Sequence, residues 1–239
     1  MIVIFAIDAL EYNLVEEFNC ENLKQISYGK TDISEFSEPR TIVLWSSFIT
    51  GQNKEDEILT KGNKEMWDTK IPIEQTFFTK FKNPKVIDLP GYNYDKNAHN
   101  KSRILLKNFF ETDNKGKVLE EYNRDAFEHH RKVRDEFLEA INAKHDFVLG
   151  YFSVADVVGH LNFGHKEMMQ SIYNELDDIA KQIRQKIDIL LIISDHGMEG
   201  VGRFGDHSNY GFWSLNKKIV LKNPKITDFA KILLSLKNG

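Results

Sequence analysis

The stretch ILLIISDHGMEG, residues 189–200, runs five apolar side chains straight into Ser194, Asp195, His196 and Gly197. A short, continuous apolar run rich in branched residues and closed by a polar turn reads as a strand buried on both faces. Ionisable groups are costly to bury unless they are paired or hold a cation. A buried strand that ends on an acid and an imidazole therefore demands partners from elsewhere in the chain.

The same pattern recurs. MIVIFAI leads into Asp8, KVIDLP into Gly91, and DFVLGYFSV towards Asp156. Between these runs, residues 117–143 place Leu119, Tyr122, Ala126, Val133, Phe137 and Ile141 at helical spacing. Residues 166–186 do likewise with Met169, Ile172, Leu176, Ile179 and Ile183. Apolar strands alternating with amphipathic helices predict an α/β fold with a mostly parallel sheet covered on both sides. Ligands of open α/β sheets lie beyond the carboxyl ends of the strands, where Asp8, Asp156 and Asp195 are expected. Residues 54–114 are less periodic, hold Trp67, Phe77, Phe78 and the loop GYNYDKNAHN, and read as an insertion beside the site within one domain spanning 1–239.

Composition narrows the partners. With 32 basic and 36 acidic residues the net charge is −4, too balanced for nucleic acid or an anionic membrane as a standing partner. An anionic substrate must then be met by local charge, metal ions included. Cys20 is alone, so no intrachain disulfide forms, which fits a reducing compartment. MIVIFAI lacks the features of a secretory signal and no apolar run approaches a membrane span, so a cytoplasmic protein is expected, its oligomeric state open.

Asp156 and His160 are four apart, so on a helix both leave one face, a spacing that suits two ligands of one ion or, equally, a capping acid and a solvated histidine. Asp195 and His196 need a loop, eased by Gly197, to turn towards a common centre. His207 follows in the glycine-rich GRFGDHSNYG. With Asp8 these make three carboxylates and three imidazoles, enough for two ions. In SEPRTIVLWSSFITG, Thr41 starts an apolar helix closed by Gly51. Thr41 is either an N-cap or a nucleophile at a helix start that holds a phosphate. Ser46 and Ser47 lie inside that helix. His129 and His130 read as solvated helix residues, His99 as a loop residue, His145 as preceding a strand and His165 as a helix start.

Taken in order, Asp8 after the first strand, Thr41 with TG at 50 and 51, D-x-x-G-H at 156–160, SDHGM at 194–198 and the later His207 resemble the alkaline phosphatase superfamily, within it the type I phosphodiesterase and nucleotide pyrophosphatase branch. The resemblance implies a three-layer α/β/α sandwich around a mostly parallel sheet with a small inserted cap. It implies one ion held by Asp156, His160 and His207 and a second by Asp8, Thr41, Asp195 and His196. Zinc suits such donors, with manganese or iron as alternatives. It further implies a small-molecule phosphoric ester substrate and a phosphothreonine at Thr41. Two departures stand out: Ala9 replaces the glycine common after the first aspartate, and Leu44 replaces an asparagine that helps bind a phosphoryl oxygen. Arg40, Leu44 and Tyr92 are the substrate-side positions this marks, the insertion's aromatic residues being either a stacking surface or core. A phosphomonoesterase on the same scaffold, or a metal-containing binding protein with weak turnover, is the alternative. No C/S-x-P-x-R arrangement supports a sulfatase, and the serine and large inserted domain of the mutases are lacking.

Overall fold

The computed structural model describes residues 1–238. Its strands are β1 (Ile2–Ile7), β2 (Ser27–Asp32), β3 (Pro84–Ile87), β4 (Phe147–Phe152), β5 (Ile189–Ile193), β6 (Met198–Val201), β7 (Phe204–His207) and β8 (Tyr210–Leu215). Its helices are α1 (Tyr12–Glu17), α2 (Thr41–Thr50), α3 (Glu55–Leu59), α4 (Gly62–Glu65), α5 (Lys96–Glu111), α6 (Lys115–Asn142), α7 (Val154–Asn162), α8 (Lys166–Arg184) and α9 (Phe229–Asn238).

Six strands form one sheet in the order β2-β8-β5-β1-β4-β3. β1 lies between β4 and β5, parallel to both, and β3 continues the parallel set beyond β4. β8 runs antiparallel to β5 and to β2. The mostly parallel sheet is thus as expected. Alternation along β1 shows why it is covered twice: Val3, Phe5 and Ile7 enter one apolar core, Ile2, Ile4 and Ala6 the other. The first core takes its helical residues from α5 to α8, through Phe109, Phe137, Val158 and Leu176 among others. The second is closed by α2 and α9, through Leu44, Trp45, Phe48 and Leu233. Three layers result, α/β/α.

Within 54–114 the chain gives β3 to the sheet edge, while Phe77 and Phe78 pack against Phe147 of β4. These two phenylalanines are buried core. The expected loop at 91–100 is helical from Lys96, which puts His99 in α5, capped by Asp95 through the N–H groups of Asn97 and Ala98. Among the described residues no helix is long and apolar enough to cross a membrane.

Candidate functional site

Three adjacent parallel strands set the site. Ile7 pairs with Phe152 and Ala6 with Ile193, so β1, β4 and β5 end nearly level. Asp8 follows β1 directly, Asp195 follows β5 by two residues, and Asp156 sits in the first turn of α7 just past β4. The three carboxylates converge because their strands are neighbours.

His207 arrives by a hairpin. β6 and β7 pair with Met198 opposite His207, so the chain that leaves through His196 returns beside it, and the two rings stack with centroids 3.9 Å apart. His207 ends a strand rather than lying in a loop. Gly159 of the D-x-x-G-H motif lets the hairpin close on α7: a Cβ there would stand 2.3 Å from Met198 Sδ. Gly197 serves the turn in the same way, since a Cβ would meet Glu11 Oε2 at 2.3 Å and Ser208 Oγ at 2.7 Å.

In the outer half of the site, Asp156 Oδ1, His160 Nε2 and His207 Nε2 lie 3.3 Å from one another in each pairing. The distances are short enough for hydrogen bonds, yet Asp156 Oδ1 is buried with no hydrogen-bond partner. The reason is at the other ring nitrogens. His160 Nδ1 lies 3.1 Å from the Gly205 carbonyl and His207 Nδ1 2.9 Å from that of Pro39. If each Nδ1 carries the proton it gives to the carbonyl, both Nε2 atoms present lone pairs to the carboxylate. Three lone pairs turned towards one point repel unless a cation sits among them. A tetrahedron with ligand bonds of about 2.0–2.1 Å has edges of about 3.3–3.4 Å, so the donor set fits a divalent ion such as zinc. Pinning of the remote nitrogen is what metal-ligating histidines require.

In the inner half Asp195 and His196 are fully buried, while Asp8 and Thr41 reach the cavity. His196 Nε2 stands 3.3 Å from Asp8 Oδ1, 3.4 Å from Asp195 Oδ2 and 3.5 Å from Thr41 Oγ1, with its Nδ1 3.0 Å from the Gly197 carbonyl. Asp8 Oδ1 and both Asp195 oxygens are buried without hydrogen-bond partners. Burial and then the neighbouring carboxylates hold Asp8 well above the usual carboxylate range. Burial pushes Asp195 to about 8 and depresses His196 to about 3. In the outer half, burial opposes the charged forms, but the mutual attraction of Asp156 and His160 wins, holding the acid low and raising the imidazole to about 9. A cation would relieve the inner repulsion directly.

Thr41 is the first residue of α2, and Arg40 is the N-cap. Of the two readings of Thr41, the N-cap does not hold: the hydroxyl caps nothing and lies 3.5 Å from His196 Nε2. Val43 and Leu44 both donate to the Arg40 carbonyl, while the Thr41 and Ile42 N–H groups have no acceptor among the described residues. A helix start with free N–H groups beside a hydroxyl can receive an anion.

The proposed substrate-side residues fare unevenly. Leu44 is fully buried in the core between α2 and the sheet, so it offers nothing to a ligand. Tyr92 packs edge-on against Phe78 and lies outside the cavity that holds Thr41. Arg40 stands at the mouth near His207 and Trp67, its Nε 2.6 Å from Glu38. Ala9 adopts φ 54°, which explains why glycine suits that position; alanine accepts it at about 1–2 kcal/mol.

Several residues that position the ligands carried no motif. The Tyr151 hydroxyl, fully buried, donates to Asp8 Oδ2. Glu11 accepts from the Met198 N–H and the Tyr210 hydroxyl, tying β6 to the β1 exit. Ser194 Oγ accepts from the Leu10 N–H, joining the β1 and β5 exits. His129 and His130, expected to be solvated, are not: His129 Nε2 pairs with buried Asp88 Oδ2 at 2.6 Å and His130 is buried. Asp88, His99 and His129 also cluster, but at 2.6 and 3.2 Å the two rings make hydrogen bonds to one carboxylate oxygen that hold it well ionised.

A three-layer α/β/α sandwich around this mostly parallel sheet is an alkaline phosphatase-like fold. The PH0037 protein of Pyrococcus horikoshii has this fold in common, with a TM-score of 0.53 and 12% identity over 99% of this chain and 96% of that one. The family model of type I phosphodiesterase / nucleotide pyrophosphatase matches residues 2–222, and the chain belongs to that family. Murine ectonucleotide pyrophosphatase / phosphodiesterase 5 is similar at 12% identity and TM-score 0.48, over 84% of this chain and 58% of that one. GPI ethanolamine phosphate transferase 2 of Kluyveromyces lactis is 31% identical over 67 residues, 27% of this chain and 8% of that protein. The chain thus spans about half of the murine structure's length and a small part of the transferase.

Proposed function

We propose that this chain is a two-metal phosphoric ester hydrolase, acting on phosphodiesters or phosphoanhydrides through a phosphothreonine at Thr41. The observation that carries the reading is the triangle of Asp156, His160 and His207 donor atoms, each 3.3 Å from the next, beside the inner set that faces the Thr41 hydroxyl. Asp156, His160 and His207 would hold one ion, and Asp8, Asp195 and His196 with Thr41 the other. Zinc is the favoured metal, manganese or iron the alternatives. Bound divalent ions in such cages lower the pKa of a ligating hydroxyl and offset charge on phosphoryl oxygens.

The rest falls to the protein. Helix α2 fixes Thr41 at its first turn, where the hydroxyl is spared from capping and the free N–H groups of Thr41 and Ile42 can orient phosphoryl oxygens. Attack by the Thr41 oxygen on phosphorus expels the ester oxygen, and water then cleaves the phosphothreonine. Catalysis of this kind is mostly positioning and electrostatics. The reading treats 1–239 as one catalytic domain in which Trp67, Pro90 and Tyr94 from the 54–114 region wall the substrate cavity.

With zinc supplied, bis(4-nitrophenyl) phosphate should be hydrolysed faster than 4-nitrophenyl phosphate. A chelator should abolish turnover, and Thr41→Ala should lower kcat by at least about 10³-fold, in the range seen for activated nucleophiles, while zinc remains bound. A Thr41→Ala protein that turns over like the parent rejects the phosphothreonine.

A further inference from the structure

One wall of the cavity containing Thr41, Asp8 and Asp156 is a single face of α5: His99, Ser102, Arg103 and Leu106 all line it, at positions i, i+3, i+4 and i+7. Two of the polar groups on that face are committed. Ser102 Oγ donates to the Ala98 carbonyl, and His99 Nε2 lies 3.2 Å from Asp88. Arg103 meets no anion: among the described residues no salt bridge involves its guanidinium, whose polar partners are both neutral, Asn100 Oδ1 at 3.5 Å and the Tyr94 hydroxyl. It is the one lysine or arginine lining the cavity among the described residues.

Arg103 is also held still. Its guanidinium lies over the Trp67 ring, 3.8 Å from the centroid. The Trp67 carbonyl in turn accepts from the Tyr94 hydroxyl at 2.7 Å. Stacking uses the face of a guanidinium, and its edge meets only the neutral Asn100 and Tyr94 oxygens, so the fork is preorganised and its charge is without an anionic partner. The same cavity is lined by Thr41 and by Asp8, Asp156, His160 and His207, the candidate metal donors, where the phosphorus under attack belongs on the proposed reading.

We infer that Arg103 is a specificity-determining residue that receives a second anionic group of the substrate, a carboxylate or another phosphorus oxyacid, beyond the phosphorus attacked. The inference rests on the proposed hydrolase reading. It predicts substrates with two separated anionic centres, and it makes the Arg103–Trp67 stack the element that selects them.

Calorimetry on the zinc-loaded full chain reads this without turnover, using propylphosphonate, 3-phosphonopropionate and propane-1,3-bisphosphonate. The parent should bind the two probes that carry a second anionic group about tenfold more tightly than propylphosphonate, as one charge-assisted pair would give. Arg103→Gln should bring that ratio near one, and Arg103→Lys should keep part of it. The probe with the larger ratio identifies carboxylate or phosphorus oxyacid as the preferred group. A parent with no preference, or an Arg103→Gln protein that keeps it, overturns the role of Arg103. Because propylphosphonate reports the Thr41 side alone, its failure to bind would overturn the hydrolase reading with it. Binding of all three with unchanged ratios would sink only the inference.

Discussion

Tyr151 shows how one hydroxyl acts on the site through a candidate ligand, Asp8. Its side chain comes from β4, next to β1 in the sheet, and its O–H donates to Asp8 Oδ2, leaving Oδ1 for His196 and the inner site. That hydrogen bond fixes the carboxylate's rotation, as partners behind metal ligands generally do. Tyr151→Phe keeps the ring that packs on Trp45. It should weaken zinc affinity about 10–100-fold, measured by competition with a chromogenic chelator. Fold stability should fall by only about 1–2 kcal/mol. Unchanged zinc affinity would show that Asp8 needs no such hold. In the sequence Tyr151 is one more large residue in an apolar run, and nothing in its spacing distinguishes a core tyrosine from a positioning one. The same holds for Glu11. The candidate ligands were legible only as a set: each acid or histidine alone has an ordinary structural use, and their order along the chain is what singled them out.

At the scale of elements, the β6–β7 hairpin and α7 form a unit that closes the outer site. Met198 Sδ lies where a side chain at Gly159 would be, and His160, the next residue, reaches Asp156 and His207. Gly159→Ala should therefore force the hairpin away from α7. The expected cost is about 1–3 kcal/mol, the usual range for overpacking, with zinc lost from the outer site first. Denaturant unfolding and zinc stoichiometry check both; full stability with two ions bound would mean the hairpin gives way freely. Strands and long helices were readable from periodicity, since β1 and β5 are apolar at every position, β4 departs from that only at Gly150 and Tyr151, and α6 and α8 bury one stripe each. The start of α5 was not. DKNAHN is polar and begins with a capping aspartate, so local pattern alone reads it as loop, and the cavity face it builds was missed with it.

For the whole molecule, the site is a store of unfavourable charge that a metal ion would offset, and pH exposes the balance. Asp195, raised to about 8 by burial, and His160, carried to about 9 by Asp156 against its own burial, bind protons more tightly folded than unfolded. Stability from such groups is present at low pH and is lost as pH rises through their folded values. His196, depressed to about 3, acts in the opposite sense, but only below its unfolded value near 6.5. Asp156, held low, likewise contributes nothing further above that point. Within the site, the groups held above their unfolded values, Asp195 and His160 together with Asp8 and His207, carry the pH dependence between pH 6.5 and 9. Chelator-treated protein should therefore melt progressively lower across that window. Zinc binds the deprotonated set and releases protons, so its stabilisation should grow over the same range. Thermal melts at pH 6.5 and pH 9, each with chelator and with zinc, test this as a single difference. The gap between the two curves must widen by several degrees at the higher pH, and a constant gap would mean these six side chains do not hold the proposed ions.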